Sequence, residues 1–191
     1  MEELLPAGGR IRKLWIAEAD LYRDHLLRLD TKSRRSRFAG AVSNEFLRKY
    51  AQLAFNLDAI IHGFFVDDVL RGAAELRAIG SPAHREAEAA FSIERPWQSH
   101  GVGSALLERT LLAARNRGFR YLHMACLADN DRMQQLASKY DADLRFDFDT
   151  VVGEVTAPRP TPLSVFREVL ADGHSFATAV CDAQSRLLRP V

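Results

Sequence analysis

A chain of 191 residues with 47% hydrophobic and 27% charged content is long enough to bury one core and too apolar for extended disorder. Its 26 basic and 25 acidic residues leave a formal net charge of +1, which gives no whole-molecule attraction to nucleic acid or an anionic membrane. Two cysteines far apart without CxxC spacing, no apolar run near about 18 residues and no leader-like start argue against a zinc site and a membrane span, and point to a cytoplasmic location.

Residues 20–30 carry a helical apolar stripe through Leu21, Leu26, Leu27 and Leu29 with Asp20 as N-cap, and a second helix is expected over Ser43–Ala51. Between them, Lys32, Arg34, Arg35 and Arg37 read as a solvated loop or helix face with no assigned function. Ile60–Val66 and Val69–Ile79 flank the polar turn Asp67–Asp68 and form a hairpin. Glu86–Ile93 is the next strand, stopped before Pro96. Gln98–Ser104 then runs into a leucine-rich helix that Gly118 ends as a left-handed cap, and Phe119–Leu127 returns as a strand, completing a β-loop-α-β unit. The short polar side chains of Asp129, Asn130 and Asp131 can cap a helix over Arg132–Tyr140. Residues 145–156 give a further strand or pair, interrupted at Gly153. Pro158, Pro160 and Pro162 mark a linker, and Leu163–Leu170 and Phe176–Leu188 are helical with a break at Gly173. The expected organisation is α/β (α+β): one domain over 1–157, with N-terminal helices within 17–51 and a core over 56–157, then a linker and helical tail over 158–191. That tail packs on the domain or on a partner subunit, which leaves a homodimer open.

The strongest chemical signal is the glycine loop. Gly101 and Gly103 permit close approach of a ligand, and the helix that follows leaves its first N–H groups without intrahelical acceptors, which favours an anion. Taken alone, the same loop could join strand to helix and bind nothing.

Context favours binding. Gln98 to Gly103 fits the pattern Q or R, x, x, G, x, G or A. With the strand Glu88-Ala89-Ala90-Phe91-Ser92-Ile93 and the segment Asp129-Asn130-Asp131-Arg132-Met133, the chain from roughly Asn56 to Val155 resembles the GNAT family of N-acetyltransferases. Its pattern is most similar to the catalytic domain of bacterial protein lysine acetyltransferases. The resemblance implies a mixed central sheet of about six to seven strands flanked by helices. It also implies acetyl-CoA as cosubstrate, no metal, and acetyl transfer to a primary amine by direct attack in a ternary complex, with a protein lysine as first acceptor. A small-molecule amine or antibiotic acceptor, or a non-catalytic acyl-CoA-binding module, are the alternatives. Neither nucleic acid nor membrane is an expected partner.

An amine with a pKa near about 10 is protonated at neutral pH and cannot attack a thioester until a base takes its proton. Glu88, between Ala87 and Ala89-Ala90, is the candidate: small neighbours leave room for a substrate, and burial would make the carboxylate a better base. The resemblance gives it the general-base role, through water. A surface glutamate paired with Arg85 or Arg95 is the plainer reading, and Glu75 on the preceding strand is the rival. The resemblance lays the thioester and pantetheine arm along Phe91, Ser92 and Ile93 through backbone groups. It puts the pyrophosphate among Ser99, His100, Gly101, Val102, Gly103 and Ser104, with Ser104 adding a hydroxyl and His100 assisting only if charged. Asn130 meets the cofactor arm or simply caps its helix, and Lys139 sits near the phosphates or is a solvated lysine. Many members carry a tyrosine acid seven residues after the asparagine; here that position is Ala137, and Tyr140 reads as core.

Overall fold

Strands that alternate cleanly between apolar and polar residues have one wet face, whereas Ile60–Val66 is apolar in both registers apart from His62, and Val69–Ile79 sets Arg71, Glu75 and Arg77 among apolar residues in one register only, so these strands require cover on both sides. The computed structural model, which describes residues 5–56 and 59–188, provides that cover. Seven strands form one sheet in the order β1 (Arg10–Lys13), β2 (Ile60–Val66), β3 (Val69–Ile79), β4 (Glu86–Ile93), β5 (Tyr121–Leu127), β7 (Thr150–Thr156) and β6 (Asp143–Asp147). Neighbours are antiparallel except β4 and β5, which are parallel and joined by α4 (Val102–Asn116). Asp67 and Asp68 both take positive φ (49° and 60°), so the β2–β3 turn matches the strand twist.

The two faces build separate cores. On one, Ile61, Phe65 and Ala73 pack with residues of α1 (Ala19–Arg28) and α3 (Asn44–Asn56), among them Tyr22, Leu26 and Leu47. On the other, Leu76, Ala87, Ala89 and Met124 pack with Leu107 and Ala113 of α4 and with Ala137 of α5 (Asp131–Lys139).

A polar knot interrupts the first core. Glu75 is 3% exposed and accepts hydrogen bonds from Tyr22 Oη (2.9 Å), Tyr50 Oη (2.8 Å), Arg37 Nη2 (3.0 Å) and Arg77. Burial, reinforced by the Glu75 charge, raises the Tyr22 hydroxyl well above its ordinary range, and burial likewise raises Tyr50, so both remain donors. Arg37, from the run expected as a solvated loop or helix face, lies on a helix, α2 (Thr31–Phe38), but is not solvated. Its side chain is buried against Glu75 and lies over the rings of Phe38 and Tyr50. The sequence disguises this burial because a buried arginine looks like any other charge until its partner, here 38 residues away, is known.

Three other expectations need correction. β1 was not foreseen: it is four residues long and rich in Arg and Lys, yet Arg12 is buried in a bidentate pair with Glu18 at 2.7 and 2.9 Å. Gly153 does not interrupt a strand. It lies inside β7, where a Cβ would come within 3.1 Å of Leu144 and 3.2 Å of Ala137, so glycine allows close approach of α5. Gly173 does not break the tail either: α6 runs unbroken over Pro162–Leu188. Glycine costs a helix about 1 kcal/mol. Docking contacts on both sides of it offset that cost, with Lys13 Nζ 3.0 Å from Asp172 and Ser175 Oγ 3.4 Å from the Lys13 amide.

Replacing Glu75 by Gln removes the negative charge that compensates buried Arg37, and should cost about 3–5 kcal/mol in urea unfolding; a loss under about 1 kcal/mol would contradict a structural role. Stability should also fall with acid. His62 on β2 is buried, and burial first, then the charges of Arg109, Lys13 and Arg117, push its pKa down to about 3. An unfolded histidine titrates near about 6.5, so between these values the unfolded chain binds a proton that the native state refuses. Native stability is therefore complete above about pH 6.5 and declines toward pH 3. A thermal unfolding series should show the His62→Gln variant declining less steeply.

Candidate active site

β4 and β5 pair at only three positions, Glu86 with Tyr121, Ala87 with Leu122 and Glu88 with His123. Past Glu88 they part, although β4 remains in register with β3 as far as Ile93 and β5 with β7 as far as Leu127. Each strand thus turns one edge of backbone N–H and C=O groups toward the gap, and such groups demand partners. An extended chain bearing amides can supply them in the manner of an added strand. Phe91, Ser92 and Ile93 lie along this open edge. Phe91 and Ile93 point to the α4 side, and Ser92, 5% exposed, points to the other.

The gap opens at the carboxyl ends of two parallel strands, where ligands of α/β proteins bind. Its mouth is held from three sides. Gln98 Nε2 donates to the Ile93 carbonyl (2.8 Å) and to Ser33 Oγ on α2 (3.1 Å), while Gln98 Oε1 accepts from Arg132 on α5 (2.7 Å). Across the opening, Arg35 of α2 pairs with Asp129 of the β5–α5 loop at 2.8 Å. Gln98, the first residue of the glycine motif, therefore positions the site through its side chain.

Beyond Gln98 the chain turns sharply, with positive φ at Ser99 (62°) and Gly101 (80°), and α4 begins at Val102. Gly101 is required by this conformation. Gly103 is not: a Cβ there would make ordinary contact with Leu136 at 3.5 Å and Ile93 at 3.7 Å. The first bond of the helix is Ala105 N–H to Gly101 O, so the amides of Val102, Gly103 and Ser104 belong to the turn that lacks intrahelical acceptors. Lys139 Nζ donates to Ser104 Oγ at 3.1 Å and adds a positive charge to the same helix end. His100 is exposed, its Nδ1 2.6 Å from the Gln98 carbonyl, so the ring is tied into the loop. Asn130 caps α5, its side chain accepting from Met133 N–H at 3.4 Å.

Glu88 occupies the last paired position before the strands separate. It is exposed, not buried, because the helices over that face do not extend to it. Among the described residues it forms no ion pair, so the pairing with Arg85 or Arg95 is absent. Its same-face neighbours are Arg77 on β3 and His123 on β5, and His123 lies 3.5 Å from Glu86 and 3.8 Å from Glu154. Glu75, on the preceding strand, has its carboxylate occupied by four donors. Ala137 is 2% exposed and packed against β7, so no larger acid fits there. Tyr140 turns its hydroxyl to α4, toward Ser104 O (3.3 Å) and Glu108 (3.0 Å). Among the described residues no group of three or more His, Cys, Asp or Glu side chains converges as a metal site.

One cluster escaped the sequence reading. His25 of α1 is wholly buried, with Nε2 3.0 Å from Ser92 Oγ and Nδ1 3.4 Å from Glu94. Burial lowers the His25 pKa and keeps the ring neutral. Burial alone would raise Glu94, but hydrogen bonds from His25 and Arg28 hold its carboxyl below the usual range. A neutral ring with Nδ1–H toward the carboxylate leaves Nε2 to accept from Ser92, which fastens α1 to the open half of β4. The only signal in the sequence is a histidine beside Leu26 in an apolar stripe, a pattern that core histidines share.

Parted parallel strands followed by a helix whose first amides lack intrahelical acceptors leave room for an extended ligand with an anionic end. The model of the acetyltransferase (GNAT) family matches residues 24–141, and the chain belongs to that family: it is an acetyltransferase that uses acetyl-CoA. Solved structures share the fold. The GNAT domain of S. lividans PAT is 23% identical with a TM-score of 0.67, covering 78% of this chain and 90% of that one. The PaiA N-acetyltransferase from Thermoplasma acidophilum, in complex with coenzyme A, is 20% identical at a TM-score of 0.57, covering 78% and 98%. An acetyl transferase from Salmonella typhimurium that modifies the N-terminal serine of a 50S ribosomal subunit protein is 17% identical at 0.62, covering 78% and 95%.

Acetyl-CoA at about a hundred times its Kd should stabilise the fold by about 2.7 kcal/mol, visible as a rise in Tm. Gly101→Val should abolish that rise, because a β-branched residue resists the left-handed conformation, and Lys139→Ala should reduce it. A folded protein whose Tm ignores millimolar acetyl-CoA would refute the cradle.

Proposed function

We propose that this acetyltransferase moves the acetyl group of acetyl-CoA directly to the side-chain amine of a protein lysine, with Glu88 as general base. The observation that carries this reading is the setting of Glu88: exposed at the point where β4 and β5 part, beside partly exposed Glu86, His123 and Glu154. An open approach, with Glu86 and Glu154 near Glu88 and Arg77 on the neighbouring strand held by Glu75, suits a cationic side chain presented on another protein, whereas a small amine is better held by an enclosed pocket.

In the ternary complex the cosubstrate's arm pairs with the Phe91–Ile93 edge, its phosphates lie on Ser99–Ser104, and Lys139 supplies positive charge. Glu88 takes a proton from the lysine ammonium, directly or through water, and the freed nitrogen attacks the thioester carbonyl. A backbone N–H of the parted β4 edge steadies the oxyanion as it forms. The C–S bond then breaks as the nitrogen gives its second proton to solvent, leaving coenzyme A as thiolate and the acetyl group as an amide. A thiolate with pKa near about 8.5 leaves without a dedicated acid, so Ala137 slows one step without blocking turnover. Two unpaired cysteines, Cys126 buried and Cys181 exposed, fit a reducing compartment such as the cytoplasm.

The Glu88→Gln variant should keep the acetyl-CoA thermal shift and lose about 10²–10⁴ in turnover at neutral pH. Free-thiol release with protein lysines and small amines offered side by side tests the acceptor. Turnover on small amines alone would overturn the lysine assignment, and full activity in Glu88→Gln would overturn the base.

A further inference from the structure

α6 is amphipathic in the wrong sense for a helix that only covers its own domain. Its inward side docks through polar groups: Asp172 to Lys13 (3.0 Å), Glu168 to Asn116 (2.7 Å) and to Arg117 (2.5 Å), and Ser164 Oγ to Asn116 (2.6 Å). Its outward side is apolar. Of the twelve exposed large apolar side chains among the described residues, seven lie on this helix, and Leu163, Phe166, Val169, Leu170, Phe176 and Val180 are 42–62% exposed. Phe166, Val169, Gly173, Phe176 and Val180 recur at intervals of three, four, three and four, the spacing that forms a straight seam against another helix. Beside the seam runs a groove of about 650 Å³ lined by Trp15, Val165, Val169, Gly173 and Phe176.

We infer that α6 pairs antiparallel with α6 of a second copy of this chain, about a two-fold axis near Gly173. Three features select a second copy as occupant. The exposed stripe amounts to on the order of 600 Å² of apolar surface, the upper end of what monomers carry, and two such helices with the groove beside them approach the roughly 800 Å² per partner of a stable interface. The stripe is self-complementary about Gly173, as an isologous contact requires: Phe166 falls opposite Val180, and Leu170 opposite Phe176, of the second copy. A Cβ on Gly173 would meet nothing within 4 Å in one copy, so the missing side chain serves no packing inside the domain and leaves room for two backbones to approach at the axis. The pairing lies away from the β4–β5 gap and does not depend on the acceptor proposed above.

Light scattering at tens of micromolar should give twice the chain mass of 21.4 kDa. The Phe166→Glu, Leu170→Glu double variant, which alters only exposed side chains, should fall to one chain mass while keeping its circular dichroism and its acetyl-CoA thermal shift. In a Cys181→Ser background, Gly173→Cys should cross-link two copies on oxidation. A monomeric wild type overturns the inference, including one that instead binds anionic vesicles through this stripe. So does a dimer that survives the double variant, or a dimer that the Gly173→Cys change leaves without a cross-link.

Discussion

The structure turns on a pairing that stops short. β4 and β5 begin as ordinary parallel neighbours and separate after Glu88 and His123, leaving backbone groups in the middle of a sheet without a partner strand. Such groups cost free energy, so the sheet can keep a gap only if other elements hold the strands apart and a ligand completes the pairing. In the reading proposed above, the cosubstrate's extended, amide-bearing arm completes that pairing and the glycine loop and Lys139 meet the charge at its far end, so that cosubstrate binding repairs the sheet.

Much of the molecule maintains the gap. Glu75 draws α1, α2 and α3 onto β3 by accepting from Tyr22, Arg37 and Tyr50. His25 and Arg28 secure α1 to the end of β4 through Ser92 and Glu94. Gln98 joins β4, α2 and α5. Each of these is a polar network at the edge of a core, where directional bonds fix geometry that apolar packing would leave adjustable. The same constraint separates two carboxylates on adjacent strands: Glu75 is buried and held by four donors, while Glu88 lies exposed at the opening.

The central β-loop-α-β unit could be read from the chain because its signals are local. Asp67–Asp68, Gly101 and Gly118 occupy turns whose backbone conformations favour those residues, and the strands between them are rich in apolar residues. Signals that depend on distant partners did not carry. α2 looked like a charged surface because Arg37 meets Glu75 only in the fold, and β1 was hidden by its own arginines and lysine. Gly153 and Gly173 read as breaks, although one allows a helix to approach and the other is carried by docking contacts on either side. For Glu88 the sequence leaves a buried and a surface carboxylate open, since alanine neighbours do not reveal whether a helix lies above them; the structure exposes it.

Amide hydrogen exchange with and without acetyl-CoA tests the central claim most directly. Amides of Ala89–Ile93 that face the gap should exchange readily in the free protein and become protected by the cosubstrate, together with those of Val102–Ser104, while the outer edges at β1 and β6 stay unchanged. Protection that bypassed β4, or β4 amides already fully protected without ligand, would contradict a sheet completed by its cosubstrate.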